Sequence, residues 1–230
     1  MIQQRKWKHL CTVASFQIDL TDAAAGMLQA MTAHAFTHDA HALTASDRVL
    51  IHAGAGGTGA LLIQMAKARG AFVMTTVSTP EKAAIAREAG ADEVIMYTHC
   101  DFQQEVARIT GGNLCTVVYD SVGKDTYLKS IKCLAPLGHI IFCGNASGPV
   151  PPLDPLDLMR AGSLTLTRPN LQHYVASRGA FVARAQSVFE MMAAGTLRIR
   201  IGREFPLAEA AAAQEHLTGR GSVGKCLLRC

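Results

Sequence analysis

Residues 48–60 read RVLIHAGAGGTGA, a short apolar run that stops at His52 and breaks into glycines at positions 54, 56, 57 and 59. A run like Arg48–His52 fits a strand buried on both faces. From Thr58 to Arg69, Leu61, Leu62, Met65, Ala66 and Ala68 recur at helical spacing, and Gly70 ends the stripe. Gly54, Gly56 and Gly59 thus form G-x-G-x-x-G between a predicted strand and a predicted helix. In that setting the glycines permit a tight turn and close backbone approach, and the helix N-terminus offers unpaired N–H groups to a pyrophosphate. Outside it, the same pattern is only a glycine-rich turn that packs a helix on a strand.

The alternation continues outward from the loop. Residues 71–77 (AFVMTTV) read as a strand, and Pro80 opens a helix that Gly90 closes. Further strands are expected at 93–96, 116–119 and 140–143, with helices at 102–110 and 125–134 between them. Strand and helix at this spacing give an α/β fold, a Rossmann-type doubly wound parallel sheet with helices on both faces. Residues 148–155 (GPVPPLDP) hold four prolines and read as a loop. Beyond it lie a strand at 163–167, a long helix over about 180–194, a strand at 197–201, a helix at 207–217 and a last strand at 223–228.

The chain has 230 residues, 49% hydrophobic and 17% charged, enough length and apolar content for a sizeable core and too little polarity for a disordered chain. The net charge of +4 is mild and, apart from Arg5-Lys6-Trp7-Lys8, scattered, so nothing asks for a nucleic-acid partner. No apolar stretch reaches the length of a membrane span, and no secretory leader is recognisable. The seven cysteines, Cys11, Cys100, Cys115, Cys133, Cys143, Cys226 and Cys230, form no C-x-x-C pair. They read as reduced thiols of a cytoplasmic protein. His34, His38 and His41 could share a helical face, but no Cys joins them, and ordinary surface histidines are expected rather than a metal site.

The end of the second strand carries the next clue. An NAD-type site has an Asp or Glu there to accept from the ribose hydroxyls; this chain reads Val77-Ser78-Thr79-Pro80-Glu81-Lys82. Two hydroxyls and a lysine suit a 2′-phosphate, and Glu81, at a helix start, can serve the helix dipole instead. The residues therefore favour NADPH over NADH. The missing acid also disfavours a methyltransferase.

Several segments then resemble one family. HAGAGGTG (52–59), VSTPEKAAIAREAGADEVI (77–95), VVYDSVGKDT (117–126), FCGNASGPVPPLDP (142–155) and LTLTRPNLQHY (164–174) are similar, in order, to the NADPH:quinone oxidoreductases. These are the zinc-free, zeta-crystallin-like branch of the medium-chain dehydrogenase/reductase superfamily. The resemblance implies that Gly56, Gly57, Thr58 and Gly59 face the pyrophosphate, that Ser78 and Lys82 hold the 2′-phosphate, and that Tyr97 flanks the adenine. It places Ser121, Val122 and Asn145 along the nicotinamide half and brings Arg220 to the phosphate. It implies hydride transfer to a quinone or enone, no metal, and a homodimer paired through the strand at 163–167.

Members of that family begin with a GroES-like catalytic domain, nearly all of which is absent here. The expected organisation is an N-terminal remnant (1–25), a dinucleotide-binding domain (26–168) and a C-terminal segment (169–230) that would normally complete the GroES-like domain. Two other readings stay open: a truncated module that binds NADPH without turnover, and a scaffold that uses the fold only for assembly.

Overall fold

The computed structural model describes residues 18–218 and 223–230. Arg220 and Cys11 fall outside them. The first helix, α1 (Leu20–Ala35), is capped by Asp19, whose carboxylate accepts from the Thr21 N–H at 2.6 Å, and it runs on as one π-helical turn, Phe36–Ala40. α1 is continuous across the boundary expected at residue 25. The alternating core comes next: β1 (Arg48–His52), α2 (Gly57–Ala68), β2 (Phe72–Val77), α3 (Pro80–Glu88), β3 (Glu93–Met96), α4 (Phe102–Ile109), β4 (Cys115–Asp120), α5 (Tyr127–Lys132), β5 (Leu134–Phe142), α6 (Pro155–Arg160) and β6 (Thr165–Thr167). α7 (Leu171–Tyr174), α8 (Arg178–Ala193), β7 (Ile201–Pro206), α9 (Ala210–Thr218) and β8 (Lys225–Arg229) complete it.

Six strands form one sheet in the order β3-β2-β1-β4-β5-β6, every neighbour parallel. This is the doubly wound order, and it reverses direction between β1 and β4, where a crevice opens beyond the strand ends. Alternation along β1 divides the core. Val49 and Ile51 face α1, α2, α3 and α8 together with Leu61, Met65, Tyr119 and Phe189, whereas Leu50 faces α4, α5 and α6 with Met74, Phe102, Val106 and Ile140. Each fully buried Leu or Ile of these layers stabilises the fold by roughly 1.5–3 kcal/mol. The outer pair β7–β8 is a separate parallel ribbon.

Three stretches depart clearly from the sequence reading. Residues 155–160 are helical, because Asp154 accepts from the Leu156 N–H and Pro155 is preset for a first helical turn. β5 starts at Leu134 rather than 140, so α5 ends at Lys132; the early pairing of Cys115 with Leu134 is succeeded by a register shift before Val117. Residues 197–200 are not a strand. The Gln64 side-chain amide donates to the Arg198 carbonyl (3.1 Å) and accepts from its N–H (2.8 Å), tying this backbone to α2, and β7 begins only at Ile201.

Candidate dinucleotide site

The glycine loop owes its shape to contacts that no Cβ would allow. A Cβ on Gly59 would lie 2.3 Å from the Ala53 carbonyl oxygen, and one on Gly54 would lie 2.0 Å from Thr75 Oγ1. Ala53 itself has φ 54°, a left-handed conformation that costs a non-glycine residue about 1 kcal/mol. That twist aims its carbonyl at the Gly56 N–H, 2.9 Å away. α2 then begins behind Gly56 with no side-chain cap among the described residues, which leaves its first N–H groups without one.

Beside this loop, at the β1/β4 switch, lies a crevice of about 410 Å³. Gly56, Ser78, Lys82, Tyr97 and Val122 line it, five of the residues singled out from the sequence. Lys82 Nζ lies 3.4 Å from Ser78 Oγ at the start of α3, and Tyr97 is half-exposed at the end of β3. Thr79 caps α3 by accepting from the Lys82 N–H. The Glu81 carboxyl is held below its usual range by its own backbone N–H and by Thr79, so it serves the helix start.

The remaining sequence candidates lie elsewhere. Gly57 lines a second cleft of about 330 Å³ on the other side of the loop, beside Gln29 and Arg198. Thr58 and Gly59 sit in the first turn of α2, off the wall of either cleft. Ser121 Oγ donates to the His52 carbonyl at 3.4 Å. Asn145, in the amide orientation that satisfies both of its ends, donates to the Gly144 carbonyl (2.7 Å) and accepts from Arg168 (3.3 Å). The turns after β4 and β5 are laced together by Ala146 N–H to the Ser121 carbonyl and Ser147 N–H to the Val122 carbonyl.

The floor of the crevice holds a polar chain that the sequence reading missed. His52 Nδ1 lies 2.9 Å from Thr76 Oγ1, and its Nε2 lies 3.0 Å from Ser130 Oγ. Ser130 donates to Asp120 at 2.7 Å, and Asp120 also accepts from the Val122 and Gly123 N–H groups and from Thr126. Burial pushes the His52 imidazole below its usual range, with the Asp120 charge opposing. The only signal in the sequence was a polar residue ending each of two apolar strands, RVLIH and CTVVYD.

His34, His38 and His41 do not converge. His34 and His38 stack ring on ring at 3.9 Å, Arg184 reaches His34 Nδ1 at 2.7 Å, and His41 faces His139. Among the described residues no group of three or more His, Cys, Asp or Glu is placed to hold a metal ion, and no helix is long and apolar enough to cross a membrane.

A parallel sheet in this strand order, a glycine loop at its switch point and a hydroxyl-and-lysine pocket beyond β2 define a dinucleotide-binding unit. Comparison with known proteins places it more closely. Residues 57–194 match the zinc-binding dehydrogenase family, and the chain belongs to it. It is 43% identical over 214 residues to a 2-haloacrylate reductase from Burkholderia sp and 42% identical over 211 residues to a quinone oxidoreductase from Pseudomonas aeruginosa, in each case over 92% of this chain. The solved structure of Escherichia coli quinone oxidoreductase complexed with NADPH superposes with a TM-score of 0.89 at 36% identity, over 93% of this chain and 66% of that one. The chain spans 64% of the length of the first relative and 65% of the second.

Proposed function

We propose that this chain is the cofactor-holding part of an NADPH-dependent oxidoreductase that reduces a quinone or a related enone. The observation that carries the reading is the crevice wall itself: Ser78 and Lys82 stand together where an NAD-type site would have a carboxylate, next to a glycine loop and an uncapped helix N-terminus. NADPH fits this donor set. Lys82 and Ser78 would hold the 2′-phosphate together with Arg220, and Tyr97 would flank the adenine. The N–H groups of Gly56, Gly57, Thr58 and Gly59 would face the pyrophosphate, and Ser121, Val122 and Asn145 the nicotinamide half. When bound, the cofactor supplies the hydride; the chain's residues bind and orient it and shield one side of the crevice from water. A quinone can take its protons from solvent, so no nucleophile or metal is required of the chain, and it is read as zinc-independent and cytoplasmic. β6 is an edge strand of the sheet among the described residues and would pair with a second copy about a twofold axis.

The names of the relatives support this reading for the substrate class: one is a 2-haloacrylate reductase, whose substrate has a C=C bond conjugated to a carboxylate as an enone's is to a ketone, and two are quinone oxidoreductases. A non-catalytic NADPH-binding module is the second reading. What favours it is that Ser121 and Asn145, at the nicotinamide end, are engaged by the His52 carbonyl, Gly144 and Arg168. Titration of the purified chain with NADPH and NADH in parallel, monitored by nucleotide fluorescence, tests the cofactor. Clear preference for NADPH is expected, and binding of neither by a folded chain would sink the proposal. NADPH oxidation by 1,4-benzoquinone, above the rate of a Lys82→Ala/Tyr97→Phe double variant, separates the enzyme from the module. Light scattering tests the dimer.

A further inference from the structure

The buried chain under the crevice contains a titratable group that none of the cofactor contacts above employs. His52, Thr76, Ser130 and Asp120 are each at most 2% exposed. Their proton arrangement is set by the acceptors. Ser130 donates to Asp120, so its oxygen accepts from His52 Nε2–H, and His52 Nδ1 is left to accept from the Thr76 hydroxyl. Thr76 Oγ1 in turn accepts from the Ala53 N–H at 3.4 Å. The chain therefore begins at the first residue of the glycine loop, passes through β2, β1, α5 and β4, and ends at the Val122 and Gly123 N–H groups of the next turn. A buried chain with every member partnered fixes one geometry, because any other leaves a polar group unpaired in a low-dielectric interior.

The chain so joins the pyrophosphate-facing glycine loop and β2, whose end leads into the adenosine subsite, to the turn assigned to the nicotinamide half. A dinucleotide is two ligands on one linker, and its advantage over either half depends on subsites held at a matching separation. We propose that His52 is the positioning residue of this crevice: its neutral imidazole ties the glycine loop and the end of β2 to the turn after β4, holding the adenosine and nicotinamide subsites at the separation an intact dinucleotide needs. The inference rests on the NADPH reading. Burial of the ring, which disfavours the imidazolium, keeps it in the form the chain requires.

The test compares NADPH with adenosine 2′,5′-bisphosphate, which occupies the adenosine subsite alone. In the full chain carrying His52→Phe, affinity for the bisphosphate stays within about twofold of the parent while affinity for NADPH falls about tenfold, so the ratio of the two collapses. Thr76→Val and Ser130→Ala cut the same chain on either side of the ring, keep its bulk, and are expected to shift the ratio in the same direction; they carry the test if His52→Phe does not fold. A general loss of structure would weaken both ligands alike. Equal weakening of both, or no change in either, overturns the positioning role. If the parent chain binds the bisphosphate and NADPH and the ratio holds in every variant, the inference fails alone; if the parent binds neither, the NADPH reading fails with it.

Discussion

The six-stranded sheet and the β7–β8 ribbon are both parallel, yet they are held in different ways. β1 and β4 are buried almost end to end between two helical layers, with Val49, Leu50, Ile51, Val117, Val118 and Tyr119 all fully covered. In the ribbon Phe205 alone is buried; the pair is secured by backbone bonds and an Arg229–Glu204 ion pair, and within β7 the Arg203 guanidinium lies 4.5 Å over the Phe205 ring. Parallel strands ordinarily need cover on both faces, and two strands alone are marginal in water. α8 stands between these extremes: it comes after β6 in the chain, but Ala185, Val188, Phe189 and the succeeding Leu197 belong to the buried cluster of the sheet. The covered unit of this chain therefore extends past the sheet as far as Leu197, and the ribbon and α9 rest on it with little burial of their own.

Two glycines test that contrast with the same steric offence. A Cβ on Gly59 would meet the Ala53 carbonyl oxygen at 2.3 Å, and one on Gly202 would meet the Val223 carbonyl oxygen at 1.7 Å. Gly59→Ala is expected to cost about 3 kcal/mol or more and to abolish NADPH binding, because the loop is packed between the sheet and α2 and has nowhere to yield. Gly202→Ala presses the harder clash into a ribbon that can part from its surroundings. Its expected effect is faster amide exchange over β7 and β8 with the main thermal transition little changed. A main transition lowered as far by Gly202→Ala as by Gly59→Ala would show that the ribbon is integral to the fold.

A smaller effect is expected at the adenosine end. Lys82→Ala should weaken NADPH about 10- to 100-fold, the range for losing one charged hydrogen bond to a phosphate, and leave NADH unchanged. Equal losses for both nucleotides would remove Lys82 from the 2′-phosphate.

Acid should act on the covered unit through its histidines. Burial, aided by His38 and Arg184, pushes His34 down to about 4, and burial with His41 pushes His139 down to about 4, against an ordinary 6.5. Below pH 6.5 the unfolded chain takes up these protons, whereas the folded chain does so only near pH 4. Their contribution is thus fully present above 6.5 and lost as pH falls from 6.5 towards 4. The thermal midpoint is expected to drop over that window, and His139→Gln to flatten the slope. A midpoint constant from pH 7 to 5 would contradict the burial of these rings.

What the sequence made legible was local. The strands and their parallel, doubly wound arrangement came from alternation and spacing, and Gly56, Ser78, Lys82, Tyr97 and Val122 reach one crevice because each stands at or just past the end of a strand that the pattern located. The His52 chain was not legible because its links join residues far apart in sequence: His52 meets Ser130 across 78 positions and Thr76 across 24. The strand expected at 197–201 failed for the same kind of reason. Gln64, 134 residues upstream, supplies the hydrogen bonds that a neighbouring strand would otherwise have supplied to Arg198. The proline-rich stretch hid α6 because Asp154-Pro155 is both a plausible loop and a well-formed helix start.

The smallest effect belongs to the ribbon's own ion pair. Arg229 and Glu204 bridge β8 to β7, but Arg229 lies at the surface, where water screens the attraction and a long side chain must be held still to keep it. Arg229→Ala is therefore expected to leave the main thermal transition where it is and, at most, to quicken amide exchange in β8 at low salt. The same exchange measured in high salt should bring parent and variant together, since screening removes what the substitution removes. A clear fall in the main transition would mean that this pair, more than the backbone ladder, holds β8 to β7 and that the ribbon melts with the covered unit, and the division drawn at Leu197 would have to move to the C-terminus.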